Sequence, residues 1–330
     1  MKITLTEVVY FALSAFLLHA SLYVNIRNFA MLISLIPLLC LVPMIAIVYG
    51  LVFFKKRNVA KRRNPITRDL LRSPGESLRI ELDDVSVDLM LNMAVTPLIP
   101  LILYSGYLSN VVFGNIKWGD LFSIVFYTLV GLGATLYSGR KMYQLANKKN
   151  KLSLGLDAEL AVAQELNLLA HHSYWVFHDI PAEGFNIDHV LVGPSGIYAI
   201  ETKGRAKPIM KDGKADWNVN YDGKTLNFPG WQETKPIEQA QRQAKWLQQY
   251  LSGAVGESVS VIPGLALPGW FIKRTGRNGI TVFNGKNAAQ ILFKTNSNLL
   301  PDKLIKQIAH QLDHRCRTVK PLALSPTAKQ

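Results

Sequence analysis

Four apolar stretches constrain this chain more than any other feature. Residues 5–26, 30–53, 90–112 and 119–138 are almost free of charge, and each approaches the roughly 20 residues that carry a helix across a bilayer. We read them as four transmembrane helices. Pro97 and Pro100 predict a kink in the third, and Glu7, Asp88 and Asp120 stand near span boundaries. No span carries an ionisable residue at its centre, which speaks against a transporter or proton relay and for an anchor. The first run has a second reading, a signal peptide ending near Ala20-Ser21. Against it, Lys2 alone supplies the preceding charge, and the run is long.

Positive charge sets the expected orientation. Lys55, Lys56, Arg57, Lys61, Arg62 and Arg63 follow the second run, and Arg140, Lys141, Lys148, Lys149 and Lys151 follow the fourth. Both clusters should face the cytoplasm, whereas the weakly charged links at 26–29 and 115–119 should lie outside. This predicts a multi-pass protein of the cell (inner) membrane with a cytoplasmic carboxyl half. Beside membrane spans the clusters read as topology and headgroup anchors. A formal charge of +14 suits an anionic partner, whether the bilayer or nucleic acid. The segment 54–89 is expected to be an inner loop, with an amphipathic surface helix over Arg68–Val87. Gly131-Leu132-Gly133 fits close helix packing better than a nucleotide loop. Homo-oligomerisation is compatible with this layout, although no motif specifies it. Cys40 and Cys316 make neither a disulfide framework nor a thiolate zinc site, and Cys40 reads as a buried small side chain.

In the polar half, Asn186–Val192 and Ile197–Lys203 are two runs rich in Val and Ile flanking Gly193-Pro194-Ser195-Gly196, the pattern of a β-hairpin. A symmetric turn sets Asp188 opposite Glu201 and Asn186 opposite Lys203. Alternation then puts Asp188, Glu201 and Lys203 on one face and His189 on the other. Like charges about 4.5–5.5 Å apart across a ladder repel one another. A divalent cation held by oxygen ligands would compensate, with Lys203 adding positive charge at a reacting phosphate. The plain alternative is a solvated strand face.

These residues, with Gly155-Leu156-Asp157-Ala158-Glu159 before them and Pro236-Ile237-Glu238-Gln239-Ala240-Gln241-Arg242-Gln243 after them, resemble the NERD (nuclease-related) domain. NERD is a branch of the PD-(D/E)XK restriction-endonuclease-like superfamily, and the likeness spans about residues 152–285. Ile187 stands where the superfamily's name places Pro. The resemblance implies an α/β fold in which Glu159, Asp188 and Glu201 hold Mg²⁺ or Mn²⁺. Lys203 would assist water and phosphate, and Gln239 or Gln243 would position substrate. The implied substrate is nucleic acid, DNA ahead of RNA.

Other features take their place around that centre. Glu159, Val162, Ala163, Leu166 and Leu169 recur at helical spacing and aim an acid at the sheet. Ile237, Ala240, Ala244, Leu247 and Leu251 make a second stripe, beside which Arg242 and Lys245 could meet backbone phosphate. Between the hairpin and that helix, Arg205, Lys207, Lys211, Lys214 and Lys224 alternate with Trp217, Tyr221 and Trp231. Such a stretch is either a substrate-contacting flap, with Arg205 and Lys207 foremost, or a folded one with its aromatics packed beneath. His310 and His314 lack a third ligand. The whole reads as an α-helical membrane domain of four transmembrane helices over 1–146 and a charged linker at 147–154. An α/β restriction-endonuclease-like domain over 155–317 follows, with a central mixed sheet flanked by helices, and then a flexible tail. A membrane-anchored, Mg²⁺-dependent nuclease is the leading function. A non-catalytic nucleic-acid-binding or scaffold module is the alternative.

Overall fold

A computed structural model of the chain describes residues 46–47, 65–209, 216–276, 278–288 and 299–321. The first expected span lies outside these residues, as does the second apart from the helical Ala46 and Ile47. So do Glu7, Cys40, the basic cluster at 55–63, Lys211, Lys214 and the tail beyond 321. By its contacts the chain divides into two units, residues 1–62 with 87–146 and residues 63–86 with 147–330.

Among the described residues, two helical stretches rather than four are long and apolar enough to cross a membrane, Glu76–Val112 and Leu121–His172. The first consists of α1 (Glu76–Val95) and α2 (Leu98–Val112), parted at Thr96-Pro97. The expected kink is therefore a break, because a proline cannot continue the hydrogen-bond ladder of the helix before it. Pro100 falls within the first turn of α2, where a missing N–H goes unnoticed. Helix α3 (Leu121–Asn167) is capped by Asp120, whose carboxylate accepts the Ser123 N–H at 2.9 Å and its hydroxyl at 2.6 Å. Gly131 lets Leu103 come close, since a Cβ there would lie 3.2 Å from Leu103 Cδ1. That fits the packing role expected of it. The outward side chains Leu121, Phe122 and Leu136 are exposed.

The second unit departs from expectation at two places. Residues 147–154 are the continuation of α3 instead of a linker. The run is charged, but it lacks proline, and Lys148 is held by Glu81 at 2.7 Å. Residues 65–75 are likewise built into the α/β unit instead of forming a loop. Strand β1 (Leu70–Leu71) pairs antiparallel with β11 (Arg317–Val319), and the Arg72 N–H donates to Cys316 O at 3.0 Å.

The central sheet is mixed, as expected. Strands β2 (Trp175–Pro181), β3 (Asn186–Gly193) and β4 (Gly196–Thr202) form an antiparallel meander, and β8 (Val261–Ala266) and β10 (Thr281–Phe283) add in parallel, in the order β10-β8-β4-β3-β2. A four-stranded sheet, β7-β6-β5-β9, is built from β5 (Asn218–Tyr221), β6 (Leu226–Phe228), β7 (Trp231–Glu233) and β9 (Phe271–Arg274). On one face of the central sheet, Val190, Val192, Ile197 and Ala199 meet Ala244, Leu247 and Leu251 of α4 (Lys235–Val255) and Ile305, Ile308 and Leu312 of α5 (Asp302–Cys316). On the other, Leu191, Tyr198 and Ile200 meet Val162 and Leu166 of α3. Helices α3 and α4 bury the stripes their spacing predicted. Burying a Leu or Val side chain contributes roughly 1.5–3 kcal/mol, so these two layers fix where the strand ends lie.

Candidate active site

The hairpin has the register its turn implies. His189 pairs with Ile200, Leu191 with Tyr198 and Gly193 with Gly196. The ladder stops at His189–Ile200, and in place of the next backbone bond the Thr202 N–H donates to Asp188 Oδ2 at 2.6 Å. Asp188 thus caps the open end of the ladder with its own side chain. Ile187 and Val190, three residues apart, belong to the same core layer, so strict alternation slips at Asp188. This slip lets Asp188 face acids from both sides of the sheet.

Glu201, 1% exposed, is held at both oxygens. Lys203 Nζ lies on Oε1, and Gln243 Nε2 donates to Oε2 at 2.5 Å. The same Gln243 nitrogen donates to Asn186 O at 3.0 Å. Two acceptors on one nitrogen fix the amide's orientation, and they leave Gln243 Oε1 buried with no hydrogen-bond partner. Gln239, one turn earlier and half-buried, makes no such bond to the acids.

Glu159 arrives from α3, 8% exposed. Gly204 makes this approach feasible, since a Cβ there would lie 2.6 Å from Leu154 O and 3.0 Å from the Ala158 Cβ. Burial pushes the Glu159 carboxyl up to about 7, and the negative charges of Asp179 and Glu201 push the same way against Lys203. Asp188 is likewise raised well above the ordinary carboxylate range. Burial is the main cause, followed by Glu201 and Glu159, while the Thr202 N–H and Lys203 oppose it. Among the described residues, three carboxylates therefore share one region with a single neighbouring ammonium.

Among the described residues no three His, Cys, Asp or Glu side chains form a ready-made metal shell. The donor set is nonetheless of the right chemistry for Mg²⁺ or Mn²⁺. It offers hard carboxylate oxygens, mutual repulsion that a cation would relieve, and an orphaned oxygen on the amide that binds Glu201.

Other sequence candidates fall elsewhere. The Arg205 guanidinium is engaged by Glu233, with Nε and Nη2 at 2.8 and 2.7 Å from the two carboxylate oxygens. Lys207 is exposed, 6.0 Å over the Trp270 ring. Arg242 and Lys245 are exposed on α4. Within the flap, Trp231 stacks on Phe228 with centroids 4.6 Å apart and Tyr221 is buried, whereas Trp217 is exposed. His189 is fully buried on the far face, its Nδ1 2.9 Å from His178 Nδ1, and His178 Nε2 lies 3.0 Å from Asn167 Oδ1.

Three residues near the acids escaped sequence reasoning. Asp179, 3% exposed, accepts hydrogen bonds from Arg72 and Ser77, which are more than a hundred positions away. Nothing local marks its partners.

No curated protein and no solved structure matches this chain. Residues 154–268, which include Glu159, Asp188, Glu201, Lys203 and Gln243, match the family model of NERD, the nuclease-related domain.

Proposed function

We propose that this protein is a membrane-anchored, metal-dependent nuclease that hydrolyses phosphodiester bonds of nucleic acid, DNA ahead of RNA. The observation that carries the reading is the gathering of Glu159, Asp188 and Glu201 at the open end of one hairpin, where burial and the neighbouring acids raise the pKa of Glu159 and of Asp188. Glu159, Asp188 and Glu201 are the residues that would hold Mg²⁺ or Mn²⁺, with Gln243 Oε1 as an added acceptor. Bound there, the cation would supply charge to a phosphate oxygen and to an attacking water. Lys203, 24% exposed on its side chain, offers an ammonium to the charge that builds on phosphorus. Gln243 fixes Glu201 in place.

The membrane part of the reading has its own support. Both flanks of the described apolar helices, 63–86 and 147 onward, belong to one compact unit, which calls for an even number of crossings between them. The basic residues Arg140, Lys141, Lys148, Lys149 and Lys151 favour the cytoplasmic side for that unit. Both features support the reading of a multi-pass protein of the inner membrane.

A second reading, a nucleic-acid-binding or scaffold module without turnover, draws on Lys203 already neutralising part of the acidic charge. Cleavage assays on the full-length protein in detergent separate the two. A fragment starting near residue 150 would discard Arg72 and β1, so it is the wrong material. With Mg²⁺ or Mn²⁺, wild-type protein should cleave DNA, chelation should abolish cleavage, and Glu201→Ala or Lys203→Ala should lower it by about 10²-fold or more. Binding that persists without cleavage would favour the module.

A further inference from the structure

The segment leading into α1 reaches the acidic site through an unbroken chain of hydrogen bonds. Arg72, 14% exposed at its side chain, places Nε and Nη2 at 2.9 and 2.6 Å from Asp179 Oδ2. The same carboxylate oxygen accepts the Ser77 N–H at 2.9 Å and the Ser77 hydroxyl at 2.8 Å. Asp179 therefore caps the first turn of α1 from a distant strand. Its φ of +50° lies in the left-handed region, uncommon for a residue with a side chain.

Ser77 is the junction. Its hydroxyl gives its proton to Asp179 and accepts from Arg72 Nη2 at 2.6 Å and Asn186 Nδ2 at 2.5 Å. One donor and two lone pairs are all a hydroxyl has, so no capacity is left over. Asn186 then accepts Gln243 Nε2 on its backbone oxygen at 3.0 Å, and that nitrogen donates to Glu201 at 2.5 Å. A second contact runs beside the first. A Cβ at Gly75 would lie 2.4 Å from Leu156 Cδ1 and 3.5 Å from Glu159 Oε2, and its φ of +66° favours glycine independently.

We propose that Arg72 and Ser77 are positioning residues for the acidic site, setting the placement of Glu201 through Asn186 and Gln243 from the segment that enters the first described apolar helix. Neither residue touches the acids of the site. A purely structural tie could be apolar at less desolvation cost than a buried ion pair. This one instead ends on the amide that orients a carboxylate. The catalytic consequence rests on the nuclease reading, whereas the geometric one does not.

The test uses full-length protein in detergent with Ser77→Ala, Ser77→Thr and Arg72→Met. Three quantities are followed: kcat and KM for cleavage, melting temperature, and amide hydrogen exchange of residues 196–203 and 235–246 without metal. Ser77→Ala should lower kcat about ten-fold at unchanged KM, the size of effect typical of partners that orient ligands. Exchange in the two site segments should quicken while that of α5 stays as in wild type. Ser77→Thr, which keeps the hydroxyl, should restore both. Arg72→Met should act in the same direction, and if it does not fold, Ser77→Ala decides. Wild-type kcat and exchange in Ser77→Ala would overturn the proposal. So would a loss that Ser77→Thr does not restore, or quickened exchange spread evenly over the unit. Should wild-type protein prove unable to cleave, the nuclease reading fails and the exchange measurement alone decides the positioning role.

Discussion

Asp179 and Asp188 lie between the same two paired rungs of β2 and β3, His178–His189 and Ile180–Ile187, and the chain treats them in opposite ways. Asp179 is answered in full, by the Arg72 guanidinium and by the N–H and hydroxyl of Ser77. Asp188 receives one backbone N–H, faces Glu201 and Glu159, and is only partly offset by Lys203. A carboxylate answered within the protein is part of the fold. One left among other acids is held in a state that a proton or a cation relieves, and this is the physical mark of a site.

The contrast is sharpest if each acid is removed. Asp179→Ala leaves the Arg72 charge buried and the first turn of α1 uncapped, and should destabilise the protein by about 3–5 kcal/mol, read by chemical denaturation. Asp188→Asn keeps an acceptor for the Thr202 N–H but lowers the charge. Cleavage should fall about 10²-fold or more with no loss of melting temperature. If Asp188→Asn destabilised as much as Asp179→Ala, the distinction would collapse.

Glu159 sharpens the comparison through pH. Its folded-state value of about 7 lies above the ordinary 4.5. Its contribution to stability is therefore full below pH 4.5 and is lost as pH rises through 7. Glu159→Gln should stabilise metal-free protein by about 1–3 kcal/mol near pH 8 and by almost nothing near pH 4, measured by thermal melts across that range. The histidine pair on the far face runs the other way. Burial lowers His178 to about 4, so it contributes above its unfolded value of 6.5 and the contribution fades as pH falls toward 4. His178→Gln should flatten the acid limb of the stability curve by about 1–2 kcal/mol.

The hairpin and its acids were legible because they are local. A four-residue turn bounded by glycines set the register as far as His189–Ile200, and with it brought Asp188 near Glu201. The helix-borne Glu159 and the buried stripes of α3 and α4 followed from spacing alone. Long-range pairing was not legible. Arg205 reads as a free cation until Glu233, twenty-eight positions on, is seen to clamp it. Arg72 and Ser77 sit in a segment whose composition suggested a loop between spans, and their partner Asp179 lies 107 and 102 positions away. Asn147–Lys151 misled for another reason: charge suggested a linker, yet the run has no residue that would stop α3. Strand alternation also gave too simple a rule at Asp188, where an acid reaches both faces.

If a cation relieves the charge that burial and Glu201 impose on Glu159 and Asp188, calorimetric titration of full-length protein with Mn²⁺ should report both the binding and the protons it displaces. Titrations near pH 6.5 in buffers of different ionisation enthalpy should show binding that releases protons, with the share from Glu159 falling as pH approaches 8, because a carboxyl near 7 must ionise to ligate. Glu201→Ala should abolish the binding. Absence of binding in wild-type protein, or binding with no proton release at either pH, would contradict the account.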